Sequence, residues 1–204
     1  MQHLVYLHGF LSSKKSQKAQ QTLAFATKHF PALNVHVPEL SGNIHKTKQA
    51  IDALMNTLEP SQVGFIGSSM GGFLSTYCLE AFCMKNYSYL KGKQNQARAV
   101  LINPAVTPVE LLANYMGKHI NPYTGEVFYI HNQHLTTLSK MHQKKLNHPQ
   151  NYKVLLQTDD ETLDYKLAEE KYKGANLVIE EGGNHSFVNY SSHLPNIFQF
   201  LFKN

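Results

Sequence analysis

Six short runs of apolar, mostly β-branched or aliphatic residues punctuate the chain, at 4–7, 34–37, 63–66, 99–102, 154–156 and 177–179. Each is too short for a helix and most lack the polar alternation of a half-solvated strand, so they predict strands buried on both faces. Between them, apolar positions return at helical spacing over 18–29, 46–58, 72–84, 163–172 and 193–202. Strands and helices therefore alternate, which predicts a doubly wound, mostly parallel sheet flanked by helices. The stretch 107–150 breaks the alternation: it mixes helical spacing with a turn signal at Asn121 and Pro122 and carries Tyr115, Tyr123, Phe128 and Tyr129. In open sheets of this kind ligands bind beyond the carboxyl ends of the strands, and 107–150 leaves such an end. It is expected either to cover that edge as a cap-like insertion or to pack on the rim as extra helices.

The chain has 204 residues, of which 42% are hydrophobic, enough for one substantial core. With no repeat, low-complexity tract or linker, residues 1–204 read as a single domain. The formal charge of +5 comes from lysines scattered over most of the chain, and only 16% of residues are charged, so no nucleic-acid partner is expected. The densest basic stretch near the start, Lys14, Lys15 and Lys18, reads first as a solvated helix start. Cys78 and Cys83 lie five apart on one predicted helix, pointing to different sides and not toward a bridge. Unbridged cysteines, no export signal at the start and no run of about 20 apolar residues together predict a cytoplasmic protein without membrane insertion. The 11% of aromatic residues predicts an apolar pocket wall.

Candidate chemistry enters at Gly67, Ser68, Ser69, Met70 and Gly71, which follow the 63–66 strand and precede an apolar helix. This is GxSxG in the strand, turn and helix context that raises a serine on a sharp elbow. Glycines on either side allow close backbone approach, and the following helix N-terminus favours developing negative charge. Ser69 holds the central position and is the expected nucleophile. The competing reading, a glycine turn cradling a phosphate, wants glycine where Ser69 stands, and the next strand ends in Asn103 rather than an acid for a ribose.

A serine hydroxyl needs a base, and on such an elbow the chain order is serine, acid, histidine. Among 12 histidines, His185 lies in the glycine-marked loop between the last strand and the last helix, on the same rim as Ser69. His3, His29, His36, His45, His119, His142, His148 and His193 are expected to be structural or surface residues, and His8 to shape the loop after the first strand. The acid is expected after the 154–157 strand, where Asp159, Asp160 and Asp164 stand. Adjacent extended residues point opposite ways, so Asp159 and Asp160 cannot both serve; Asp160 is preferred, with Asp159 and Asp164 as alternatives. Backbone donors for a tetrahedral oxyanion are expected at the amides of Met70 and Phe10, with Gly9 letting the backbone approach. No cofactor is needed, and neither histidines nor cysteines have metal-ligand spacing.

These segments resemble the small bacterial YqiA-like esterases of the α/β-hydrolase superfamily. The resemblance is carried by HLVYLHGFLSSKKSQKA at 3–19, GSSMGGF at 67–73, LINPAV at 101–106, NPYTGE at 121–126, LLQTDDETLDY at 155–165 and EEGGNHSF at 180–187. It implies an α/β-hydrolase core and esterase or thioesterase activity on acyl substrates, with Ser69, His185 and Asp160 at the matching positions. One departure is Asp159, where the family pattern usually has glycine. The expected activity is hydrolysis of small carboxylic esters through an acyl-serine. The alternatives are an acyl-CoA thioesterase, with Lys14, Lys15 and Lys18 meeting the anionic carrier, and a noncatalytic small-molecule-binding protein on the same fold.

Overall fold

The computed structural model describes residues 2–58, 62–85 and 97–202. Six strands, β1 (Gln2–Leu7), β2 (Asn34–His36), β3 (Gln62–Ser68), β4 (Ala97–Ile102), β7 (Tyr152–Gln157) and β8 (Asn176–Glu180), form one sheet in the order β2-β1-β3-β4-β7-β8. All five pairings are parallel. The expected strands all form, and the doubly wound sheet is the observed architecture. Chain order reverses between β1 and β3: β1 is followed by the edge strand β2, and the chain then returns across β1 to place β3 on its other side. Loops leaving the carboxyl ends of β1 and β3 diverge there and open a crevice.

Successive side chains of a strand face opposite ways, so a continuous apolar run feeds two cores. Val5, Leu7, Val63, Phe65, Ala99, Leu101, Val154 and Leu156 pack on one face with α2 (Ile44–Thr57), α3 (Met70–Lys85) and α6 (Tyr165–Lys171). Leu4, Tyr6, Ile66, Val100, Ile102 and Leu155 pack on the other with α1 (Gln17–His29) and α7 (Tyr190–Phe202). The helix α3 is buried almost all round because it lies between the sheet and its neighbours. Cys78 and Cys83 are both buried and unbridged within it. Among the described residues no helix is long and apolar enough to cross a membrane.

The insertion is not simply a pair of helices. It contains α4 (Pro108–Ala113), an antiparallel hairpin of β5 (Gly117–Ile120) and β6 (Val127–Ile130), and α5 (Asn132–Met141). The motif NPYTGE is the hairpin's connection, and its first residue ties it: Asn121 Oδ1 accepts from the amides of Tyr123 and Thr124 while its Nδ2 donates to Ser12 O at 2.9 Å. Glu126 accepts from the Ser41 hydroxyl and from the Gly42 amide at 3.0 Å. Phe128, Ile130, Leu138 and Met141 join the core shared by α2 and α3. Part of the insertion thus packs on the rim, and its connecting turn brings Tyr123 to the edge of the crevice.

Candidate active site

Four of the five loops that leave the carboxyl ends of β1, β3, β4, β7 and β8 carry expected site residues, and they converge at one edge of the sheet. Ser69 stands between β3 and α3 at φ 56°, a left-handed conformation uncommon outside glycine and costing on the order of 1–3 kcal/mol. Backbone bonds hold it there. Its amide donates to Ile102 O at 3.0 Å, and its carbonyl accepts from Gly72 N at 2.9 Å and Ala105 N at 3.0 Å. A Cβ on Gly67 would run into the Gly71 carbonyl, and one on Gly71 into the carbonyls of Leu7 and His8. Both glycines are therefore required by close approach. Gly71→Ala is expected to destabilise the fold by about 3 kcal/mol or more, since backbone cannot give way as a flexible side chain can. A melt within about 2 °C of wild type would contradict that packing.

His185 Nδ1 lies 3.0 Å and 2.9 Å from the two Asp160 carboxylate oxygens, and His185 Nε2 lies 3.0 Å from Ser69 Oγ. The carboxylate fixes the proton on Nδ1, leaving Nε2 to accept from the serine hydroxyl. The Asp160 side chain is 2% exposed and the imidazole 23%, so the carboxylate is shielded and the imidazole faces the crevice. Asp160 Oδ1 also accepts from the amides of Thr162 at 2.9 Å and Leu163 at 2.8 Å. The alternatives go elsewhere. Asp159 is exposed, with its amide donating to Gly182 O, and Asp164 caps α6 by accepting from Lys166 N.

Gly9 approaches Ser69 so closely that a Cβ there would sit 3.4 Å from the serine Cβ. This brings the Gly9–Phe10 peptide beside the hydroxyl. Met70 begins α3, where the first amides of a helix have no partner within it. Among the described residues neither the Phe10 nor the Met70 amide donates to another group. His8 is buried below them, its Nδ1–H donating to Gly9 O at 3.0 Å and its Nε2 accepting from Leu40 N at 3.0 Å. Accepting from an amide requires a neutral ring, and burial lowers its pKa to match, so the contact with Glu39 at 3.3 Å is not an ion pair. His8 shapes this loop, as its place before Ser69 in the chain indicates.

Two buried amide side chains to which the sequence reading gave no such role hold the His185 loop. Asn103, at φ 40° after β4, donates from Nδ2 to Asn184 O at 3.0 Å and His185 O at 3.3 Å, and accepts at Oδ1 from Gln157 N at 3.1 Å. Gln157 Oε1 accepts from the amides of Asn184 at 3.2 Å and Val188 at 2.8 Å. Exposed Glu161 accepts from His185 N at 2.9 Å, a contact that holds its carboxyl below the usual range. The available signal was a polar residue closing a buried apolar run, at Asn103 after AVLI and at Gln157 after VLL.

A cleft of about 240 Å³ opens beside Ser69 and His185, lined also by Tyr6, Ser12, Ser16, Lys18, Tyr123 and Ser186. Its wall is more polar than the aromatic content predicted, because Lys18 and several serines line it beside Tyr6, Phe10 and Tyr123. Behind Phe10 and Met70 lies a much smaller apolar cavity of about 20 Å³, walled by Leu11, Leu40, Ile44 and Leu74. Of the three early lysines only Lys18 lines the cleft; Lys14 and Lys15 line a separate depression with Val35 and Val37. Among the described residues no group of three His, Cys, Asp or Glu side chains is placed to hold a metal.

This arrangement of sheet, elbow and rim is the α/β-hydrolase fold. Solved structures share it: Est1E from Butyrivibrio proteoclasticus, at TM-score 0.66 and 12% identity, matches 99% of this chain and 87% of its own. The alpha/beta hydrolase domain-containing protein 10 from mouse, at TM-score 0.61 and 14% identity, matches 95% and 86%. The methylesterase MES16 from Arabidopsis, at TM-score 0.62 and 12% identity, matches 98% of both chains. Within that class the chain belongs to the Uncharacterised protein family UPF0227, the YqiA-like family, whose pattern matches residues 3–202.

Proposed function

We propose that this protein is a serine esterase that cleaves carboxylic esters of small acyl substrates. The observation that carries the reading is the hydrogen-bonded line from Ser69 Oγ through His185 to Asp160, opening on a cleft. Ser69 Oγ attacks the carbonyl carbon while His185 Nε2 takes its proton, and the oxyanion is met by the Phe10 and Met70 amides, each worth about 3 kcal/mol in such a role. Collapse breaks the carbon–oxygen bond to the alcohol, which leaves with the proton from His185. Water then gives its proton to His185 and attacks the acyl-serine, releasing the acid and restoring Ser69. Asp160 holds the imidazole tautomer and steadies the imidazolium. No cofactor enters any step.

The name methylesterase borne by one of the structural neighbours agrees with this chemistry. The hairpin turn at Tyr123 serves as a partial cap, and two buried thiols suit a reducing cytoplasm. A fluorophosphonate reagent is expected to label wild type, and p-nitrophenyl acetate and butyrate to be turned over faster than esters of eight carbons or more. A protein that neither reacts nor hydrolyses would be a binding protein on the same fold.

A further inference from the structure

Lys18 presents a cation to the cleft for which the esterase mechanism has no use. Its Nζ donates to Ser186 O at 2.8 Å, one residue beyond His185, which uses one of three ammonium donors. Among the described residues no carboxylate lies within 4.0 Å of it, although four ion pairs or histidine–carboxylate contacts form elsewhere in the fold. Burial draws the ammonium below the ordinary lysine value, so the fold bears a desolvation cost that no internal anion offsets. An anion held on the ammonium would offset that cost. Around Lys18 the hydroxyls of Ser12, Ser16, Ser186 and Tyr123 line the same cleft and can donate to such an anion.

We infer that Lys18 is a specificity residue that binds a compact anionic group, a carboxylate or phosphate, carried by the ester substrate. This rests on the esterase reading and narrows its substrate class from small esters to small anionic esters. It also departs from a carrier site built from three lysines, since Lys14 and Lys15 face a different depression.

The test compares mono-p-nitrophenyl glutarate with the neutral p-nitrophenyl butyrate. For wild type, kcat/KM is expected to favour the charged ester by about tenfold or more, carried by KM, as one charge-assisted hydrogen bond allows. Lys18→Met is expected to remove that preference and Lys18→Arg to keep it. A purely structural role through Ser186 would instead lower both substrates by the same factor in Lys18→Met, and that result, or equal use of both esters by wild type, overturns the inference. Glutarate and inorganic phosphate, tested as ligands by calorimetry, distinguish the two anions without requiring turnover. Binding of either one, lost in Lys18→Met, supports the anion site even if ester hydrolysis fails; binding of neither to wild type rejects it.

Discussion

Ser69→Ala is expected to lower kcat for p-nitrophenyl butyrate by about 10⁴-fold or more and to abolish fluorophosphonate labelling, while the thermal midpoint moves by only a few degrees. The substitution removes one atom. The elbow itself is held by main-chain groups, with the Ser69 amide on Ile102 and its carbonyl on Gly72 and Ala105, and these survive in alanine. Alanine tolerates the left-handed φ of 56° about as poorly as serine, so the strain is unchanged. What is lost is the oxygen 3.0 Å from His185 Nε2. The residual rate expected is the one that the proposed oxyanion donors, the Phe10 and Met70 amides, would supply whatever attacks the carbonyl. Equal activity in the two proteins would remove the nucleophile assignment and, with it, the acyl-serine.

The sheet was legible because a parallel sheet covered on both faces writes itself as short apolar runs, and all six appear where those runs lie. Helix ends moved by at most three residues, the last helix beginning at Tyr190 where periodicity placed it at His193. Ser69 and His185 were legible for a topological reason. Each sits in a loop leaving the carboxyl end of a strand, and a parallel sheet gathers such loops on one rim. The insertion was harder. Its strands are four residues each, and β6 alternates exposed Val127 and Tyr129 with buried Phe128 and Ile130, a pattern too brief to separate from helix. The roles of Asn103 and Gln157 were not read because they lie in long-range bonds to the His185 loop, and a polar residue at a strand end does not say what it will meet. The aromatic residues misled about the pocket wall for a related reason: composition counts rings but does not say which way they face.

The acid is the assignment that a single experiment separates best. Asp160→Asn is expected to cut kcat near neutral pH by about 10⁴-fold, with Asp159→Asn and Asp164→Asn within about threefold of wild type. The severity follows from the backbone around Asp160. Its Oδ1 accepts from the amides of Thr162 and Leu163, so an asparagine there must keep its carbonyl oxygen on those donors. The new amide nitrogen then falls where Oδ2 stood, 2.9 Å from His185 Nδ1. A donor at that place forces Nδ1 to accept, which moves the ring proton to Nε2 and points it at Ser69 Oγ. The imidazole can then no longer take the serine proton, even with every residue still in position. Asparagine at 164 continues to cap α6 through its side-chain oxygen, and asparagine at exposed 159 leaves the loop's main-chain bond to Gly182 in place. A large loss at Asp159 and none at Asp160 would move the acid by one residue and require the loop after β7 to turn the other way in solution.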